Sequence, residues 1–223
     1  MPNNLEALMD PQPNPQDSLV ISYLALRKAV GIIGFALPFV LVAGKALLDS
    51  PAIQSSISGY YYTDMRNVFV GSLCAIGVFL MSYRGYEPKD EIAGRLASAF
   101  AIGVALFPTT PYVGATSRDM MIGILHWSFA ALLFLTLSYF SLVLFTKTDP
   151  NKQPTPQKHM RNTVYRVCGY IMLASILLIG VVSLPAVQPL VERLVPIFWL
   201  ESIAVVTFGA SWLIKGETIL KDK

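Results

Sequence analysis

The sequence predicts an all-α integral membrane bundle of six transmembrane helices with both termini on the cytoplasmic side. Three observations carry this reading. Only 14% of the 223 residues are charged, against about 25% in soluble domains. Hydrophobic residues make up 54%, and the mean hydropathy is +0.54. The apolar residues fall into six continuous runs of near-membrane length rather than the stripes of surface helices.

Taken in order, the first span covers residues 29–48. Gly31, Gly34, Pro38 and Gly44 interrupt it, which neighbouring helices tolerate inside a bilayer. The second covers 67–83. The third, 92–107, is short and rich in Ala and Gly, residues that let helices approach closely and leave room for oligomerisation. The fourth, 120–145, is long enough to cross with tilt. The fifth and sixth cover 164–184 and 195–214. Between the fourth and fifth, Pro154 and Pro156 mark an exposed loop. Residues 1–18 read as a disordered cytoplasmic tail without the apolar core of a signal peptide, and residues 19–223 as one transmembrane domain.

Orientation follows from the basic residues. One side receives Arg27, Lys28, Arg84, Lys89, Arg95, Lys147, Lys152, Lys158, Arg161, Arg166, Lys215, Lys221 and Lys223. The other receives Lys45, Arg66, Arg118 and Arg193. The richer side is predicted to be cytoplasmic, and two inside termini require an even number of spans. The net charge of +3 is no nucleic-acid signature. Cys74 and Cys168 lie within apolar runs and read as small core residues, not as a disulfide framework. Membrane lipids are the expected partners. No motif for a cofactor appears.

Polar residues inside or beside the apolar runs mark the candidate site. The connection from Ser55 to Asn67 carries Ser58, the run Tyr60, Tyr61 and Tyr62, and then Asp64 and Arg66. Three tyrosines suit an interface where an apolar ring meets a wet hydroxyl, and they predict a loop packed over the helix ends. Asp64 and Arg66 are expected to form a charge pair at the mouth of the second span. His126 lies about five residues into the fourth span, roughly 8 Å deep at 1.5 Å per residue. Glu201 lies at similar depth in the sixth. Ionisable groups in hydrocarbon usually face the bundle interior with a partner, so His126 and Glu201 are expected to face each other or share a water. Pro108, Thr109, Thr110 and Pro111 end the third span on the same side. The predicted cluster is therefore Ser58, Asp64, Arg66, Thr109, His126 and Glu201, at the outer face.

These residues leave three functions open. Ser, His and a carboxylate are the ingredients of nucleophilic catalysis, although Gly-x-Ser-x-Gly is absent. A zinc hydrolase needs three or four ligands; one intramembrane His with Asp64 and Glu201 makes a possible but poor set, and no metal site is expected. A transporter would show broken helices at the midplane, for which Pro38 is the one candidate. A lipid-interacting or scaffold protein would hold the polar groups mutually satisfied.

Three sequence features resemble the DRAM/Frag/Sfk superfamily of six-span membrane proteins. They are the external Ser56-Ile57-Ser58 leading to Arg66, the early His126 of span four, and a last span running from Phe198-Trp199-Leu200-Glu201 to Phe208-Gly209-Ala210-Ser211-Trp212. The chain is also similar to uncharacterised bacterial membrane proteins with such loops. The resemblance implies a lipid-related role.

Overall fold

The computed structural model describes residues 15–85, 87–148 and 155–216. All regular structure among them is helical. Helix α1 spans Pro15–Leu48, α2 Arg66–Met81, α3 Pro88–Leu106, α4 Ser117–Tyr139, α5 Pro156–Val182, α6 Gln188–Val191 and α7 Pro196–Lys215. A 3₁₀ turn, Ser58–Tyr62, precedes α2, and α4 continues as a π-helical turn, Phe140–Leu144.

Local chemistry sets most of these ends. Pro88, Pro156 and Pro196 each stand at the first turn of a helix, where a missing N–H costs nothing. Glu87 with Asp90 and Thr116 with Asp119 form reciprocal capping boxes. Val195, denied the right-handed helical region by the proline after it, takes φ 44° at the start of α7.

Four helical segments are long and apolar enough to cross a membrane: Tyr23–Leu48, Ser117–Leu144, Pro156–Val182 and Pro196–Lys215. Helix α2 is apolar but shorter; its 16 residues rise about 24 Å at 1.5 Å each, against a hydrocarbon core of roughly 30 Å. Helix α3 carries Lys89, Asp90, Glu91 and Arg95 in its first two turns. The six predicted spans thus each coincide with a helix, although length and composition mark only four as membrane-crossing.

The boundaries differ in instructive ways. Helix α1 is already formed at Pro15, so residues 15–18 of the expected tail are helical; residues 1–14 lie outside the described residues. It also runs unbroken through Pro38, unlike the interrupted helix of a transporter core. The short α6 and the 3₁₀ turn after it, Glu192–Leu194, occupy a connection in which the sequence suggested no helix.

Six helices close a ring. Helix α1 packs on α2 and α7, α3 on α2 and α4, and α5 on α4 and α7, while α4 and α7 meet only marginally across the ring. The α1–α7 contact depends on glycine. A Cβ on Gly209 would lie 2.3 Å from the Phe35 nitrogen, and one on Gly31 would lie 2.7 Å from the Leu213 nitrogen. Small residues bring the two backbones together, as in membrane helix pairs generally. The Ser141 and Ser211 hydroxyls, 2.9 Å apart and buried, link the π turn to α7.

The two ends of the bundle differ. At the basic end, Tyr83, Phe140, Phe145 and Trp212 form an aromatic knot. Asp90 is 1% exposed there and accepts a 2.6 Å bond from Lys147 Nζ, which also lies 3.5 Å from Glu87. At the tyrosine end, Ile57, Ser58 and Tyr60 are buried, and Tyr60 packs beside Phe198 at 6.5 Å between ring centroids. The connection between α1 and α2 is therefore packed into the bundle, as its aromatic content predicts.

Candidate functional site

Ser58 is the hub of the tyrosine end. Its position is fixed locally: the Ser56 hydroxyl accepts the Gly59 N–H at 2.8 Å, and Thr63 Oγ1 donates to the Tyr60 carbonyl at 2.8 Å. These side-chain bonds substitute for a ladder in a short turn and drive Ser58 into the ring of helices, leaving it 8% exposed.

The Ser58 hydroxyl lies 2.9 Å from His126 Nε2, and His126 Nδ1 lies 2.6 Å from the Phe107 carbonyl. A carbonyl only accepts, so Nδ1 carries the proton and Nε2 is the acceptor for the Ser58 hydroxyl. The Phe107 carbonyl is available for a reason legible in the sequence. Its helical partner would be the N–H of residue 111, and Pro111 has none. His126 supplies the missing donor and is itself only 2% exposed.

Glu201 binds the same residue from the other side. Its Oε2 accepts the backbone N–H of Ile57 at 2.6 Å and of Ser58 at 3.3 Å. These two amides open a 3₁₀ turn and lack intrahelical partners, and a carboxylate gives them a charge-assisted bond. His126 and Glu201 are thus joined through Ser58 rather than facing each other directly.

The other three predicted residues sit apart. Arg66 donates to the Tyr61 hydroxyl at 2.5 Å and stacks over that ring at 4.3 Å. The expected Asp64–Arg66 charge pair is absent among the described ion pairs. Both groups are exposed, where such a pair gains little, and the adjacent tyrosine face offers the guanidinium a cation–π contact instead. Thr109 contributes its carbonyl, not its hydroxyl, accepting from Tyr62 at 2.6 Å. Asp64 and Arg66 line a polar surface depression with Asp49 and Gln54. The interior site is Ser58, His126 and Glu201, with the Phe107 carbonyl and the Ile57 amide as members that no side-chain motif could reveal.

Two spaces adjoin it. An interior cavity of about 60 Å³ is walled by Leu37, Phe69, Leu73, Leu137 and Phe208, with Ser58 and Glu201 on its surface. That exceeds the roughly 10–15 Å³ that holds one water, and Ser58 and Glu201 are the polar residues in its lining. A larger groove of about 730 Å³ runs between α4, α5 and α7, lined by Trp127, Ala131, Ile176 and Ile179, with Ser128, Ser183, Gln188 and Glu201 as its polar members. Ala130, Phe134 and Glu201 belong to both spaces and form the partition between them. A second groove of about 720 Å³ lies between α1 and α7 on another face, among Pro38, Phe39, Val42 and Trp199. No group of three or more His, Cys, Asp or Glu among the described residues is placed to hold a metal ion.

Comparison of the chain with known protein families, with curated proteins and with solved structures finds no match in any of the three.

Proposed function

We propose that this is a six-span, lipid-interacting protein of a bacterial inner membrane, with both termini inside, whose lateral groove takes an acyl chain of a membrane lipid. The observation that carries this reading is the shared wall. The groove opens between α4 and the α5–α7 pair, and its inner boundary at Ala130, Phe134 and Glu201 is also the boundary of the cavity beside Ser58. The groove is mostly apolar, as an acyl chain requires. Ser183, Gln188 and Glu201 offer hydrogen bonds to the polar part of a lipid. The basic-residue bias supports the orientation, and the polar site then belongs to the outer half of the membrane. The resemblance to the DRAM/Frag/Sfk superfamily agrees with a lipid-related role.

The test is lipid retention. Wild-type protein, purified in mild detergent and analysed by native mass spectrometry, is expected to keep one bound lipid. Ala131→Trp, which fills the groove, should lose it. Ala43→Trp, in the groove between α1 and α7, should keep it. Equal retention by all three folded proteins would refute the assignment.

A further inference from the structure

We infer that Ser58 is a nucleophile and His126 its general base, cleaving the acyl ester of the lipid held in the lateral groove; this rests on the lipid reading above. The geometry is that of an activated serine: hydroxyl to base, and base to an orienting acceptor. Ser58 Oγ donates to His126 Nε2 at 2.9 Å, and the Phe107 carbonyl, 2.6 Å from Nδ1, fixes the tautomer that leaves Nε2 free to accept. Ser58 also faces a space: it lines the interior cavity, whose partition with the groove is Ala130, Phe134 and Glu201. An acyl chain in the groove would bring its ester toward that partition.

The reaction balances without any further cofactor. Ser58 Oγ bonds to the ester carbonyl carbon while its proton passes to Nε2. The bond from that carbon to the lipid's alcohol oxygen breaks, and the departing oxygen takes the proton from Nε2. Water then attacks the acyl-serine, giving its proton to Nε2 and its oxygen to the acyl carbon. Ser58 leaves as the hydroxyl, recovering the proton, and a fatty acid is released. The ester oxygen gains charge during each attack and needs N–H donors. The amides of Ile57 and Ser58, held by Glu201 Oε2, are such donors at the start of the same turn. Glu201 therefore restrains the site, and turnover requires it to release these amides.

The experiment is labelling with a long-chain alkyl fluorophosphonate, read by mass spectrometry of the modified peptide, on full-length protein in lipid vesicles. Wild-type protein is expected to be labelled on Ser58, and Ser58→Ala not at all. His126→Gln should label at least about 100-fold more slowly, the lower range for a lost general base, and should lose the pH dependence of the wild-type rate. Glu201→Ala should label faster than wild type, and Glu201→Gln, which keeps an acceptor oxygen, should fall between them. An unlabelled Ser58 in both wild type and folded Glu201 variants overturns the nucleophile. A folded His126→Gln that labels at the wild-type rate overturns the base. Lipid retention separates the two proposals: retained lipid with Ser58 unlabelled keeps the groove and removes the chemistry, whereas labelling of Ser58 without groove-dependent retention does the reverse.

Discussion

His126 and Glu201 are coupled through one residue, Ser58, which gives its hydroxyl to the imidazole and its amide to the carboxylate. Helices α4 and α7 meet only marginally across the ring, and this residue on the α1–α2 connection is their polar link at the tyrosine end. Removing either partner strands buried groups on the same short segment.

Stability should show that coupling. His126→Ala leaves the Ser58 hydroxyl and the Phe107 carbonyl without their partner, and Glu201→Ala does the same to two amides. Each is expected to cost about 1–3 kcal/mol, the price of an unsatisfied buried polar group. The double variant should cost less than the sum, because both changes release the same turn. Thermal unfolding in detergent measures all three. Strict additivity would show that the two bonds act independently.

The packed connection between α1 and α2 should resist exchange. Residues 55–63 are held by Glu201, His126 and the Ser56 and Thr63 hydroxyls, so their amides should exchange slowly in deuterated buffer. Glu201→Ala should accelerate exchange at Ile57 and Ser58 first. Tyr62→Phe, which removes only the exposed bond to the Thr109 carbonyl, should change little.

The α1–α7 crossing should reject a single methyl group. Gly209→Ala places a carbon against the Phe35 and Gly31 backbones, atoms that cannot rotate away. Overpacking of this kind costs about 1–3 kcal/mol. The melting temperature should fall accordingly. Gly71→Ala, where an added Cβ meets nothing within 4 Å, should leave it unchanged or slightly raised by helix propensity.

Ionisation at the basic end sets the pH limits of stability. Partial burial alone would lower the Lys147 ammonium, but the hydrogen bond and charge of Asp90, with Glu87, outweigh it and lift the group above its ordinary 10.5. A raised basic group contributes fully below its unfolded value and is lost as pH rises through the folded one. The melting temperature should therefore drop above about pH 10.5, and Lys147→Met should flatten that limb while lowering stability at neutral pH. Glu87 is held below its ordinary 4.5 by the hydrogen bond from Lys89, with Lys147 adding to it. Its contribution is present above pH 4.5 and fades as pH falls, and Glu87→Gln should weaken that acidic limb.

Topology is checked by cysteine accessibility. In a background lacking Cys74 and Cys168, a cysteine at Thr116 should react with an impermeant maleimide from outside, and one at Lys158 only after permeabilisation. The opposite pattern would invert the orientation and place the Ser58 site at the inner face.

The sequence by itself determined that the chain is an all-helical bundle with apolar segments long enough to cross a membrane, because continuous apolar runs act locally; it missed the short α6. It also placed Ser58, His126 and Glu201 among six candidates with Asp64, Arg66 and Thr109; His126 and Glu201 were legible because ionisable groups within apolar stretches stand out against their neighbours. Only the tertiary structure decided which polar groups meet. The helices close as a ring, so His126 and Glu201 arrive on opposite sides of the α1–α2 connection and satisfy its hydroxyl and its amides rather than each other. Arg66 turned to Tyr61 instead of Asp64 because a stacked ring lay within reach. The groove and the cavity, with Ala130 and Phe134 between them, exist only because α4 and α7 meet so marginally. No local pattern encodes a gap between helices far apart in the chain, since it arises from how all six pack.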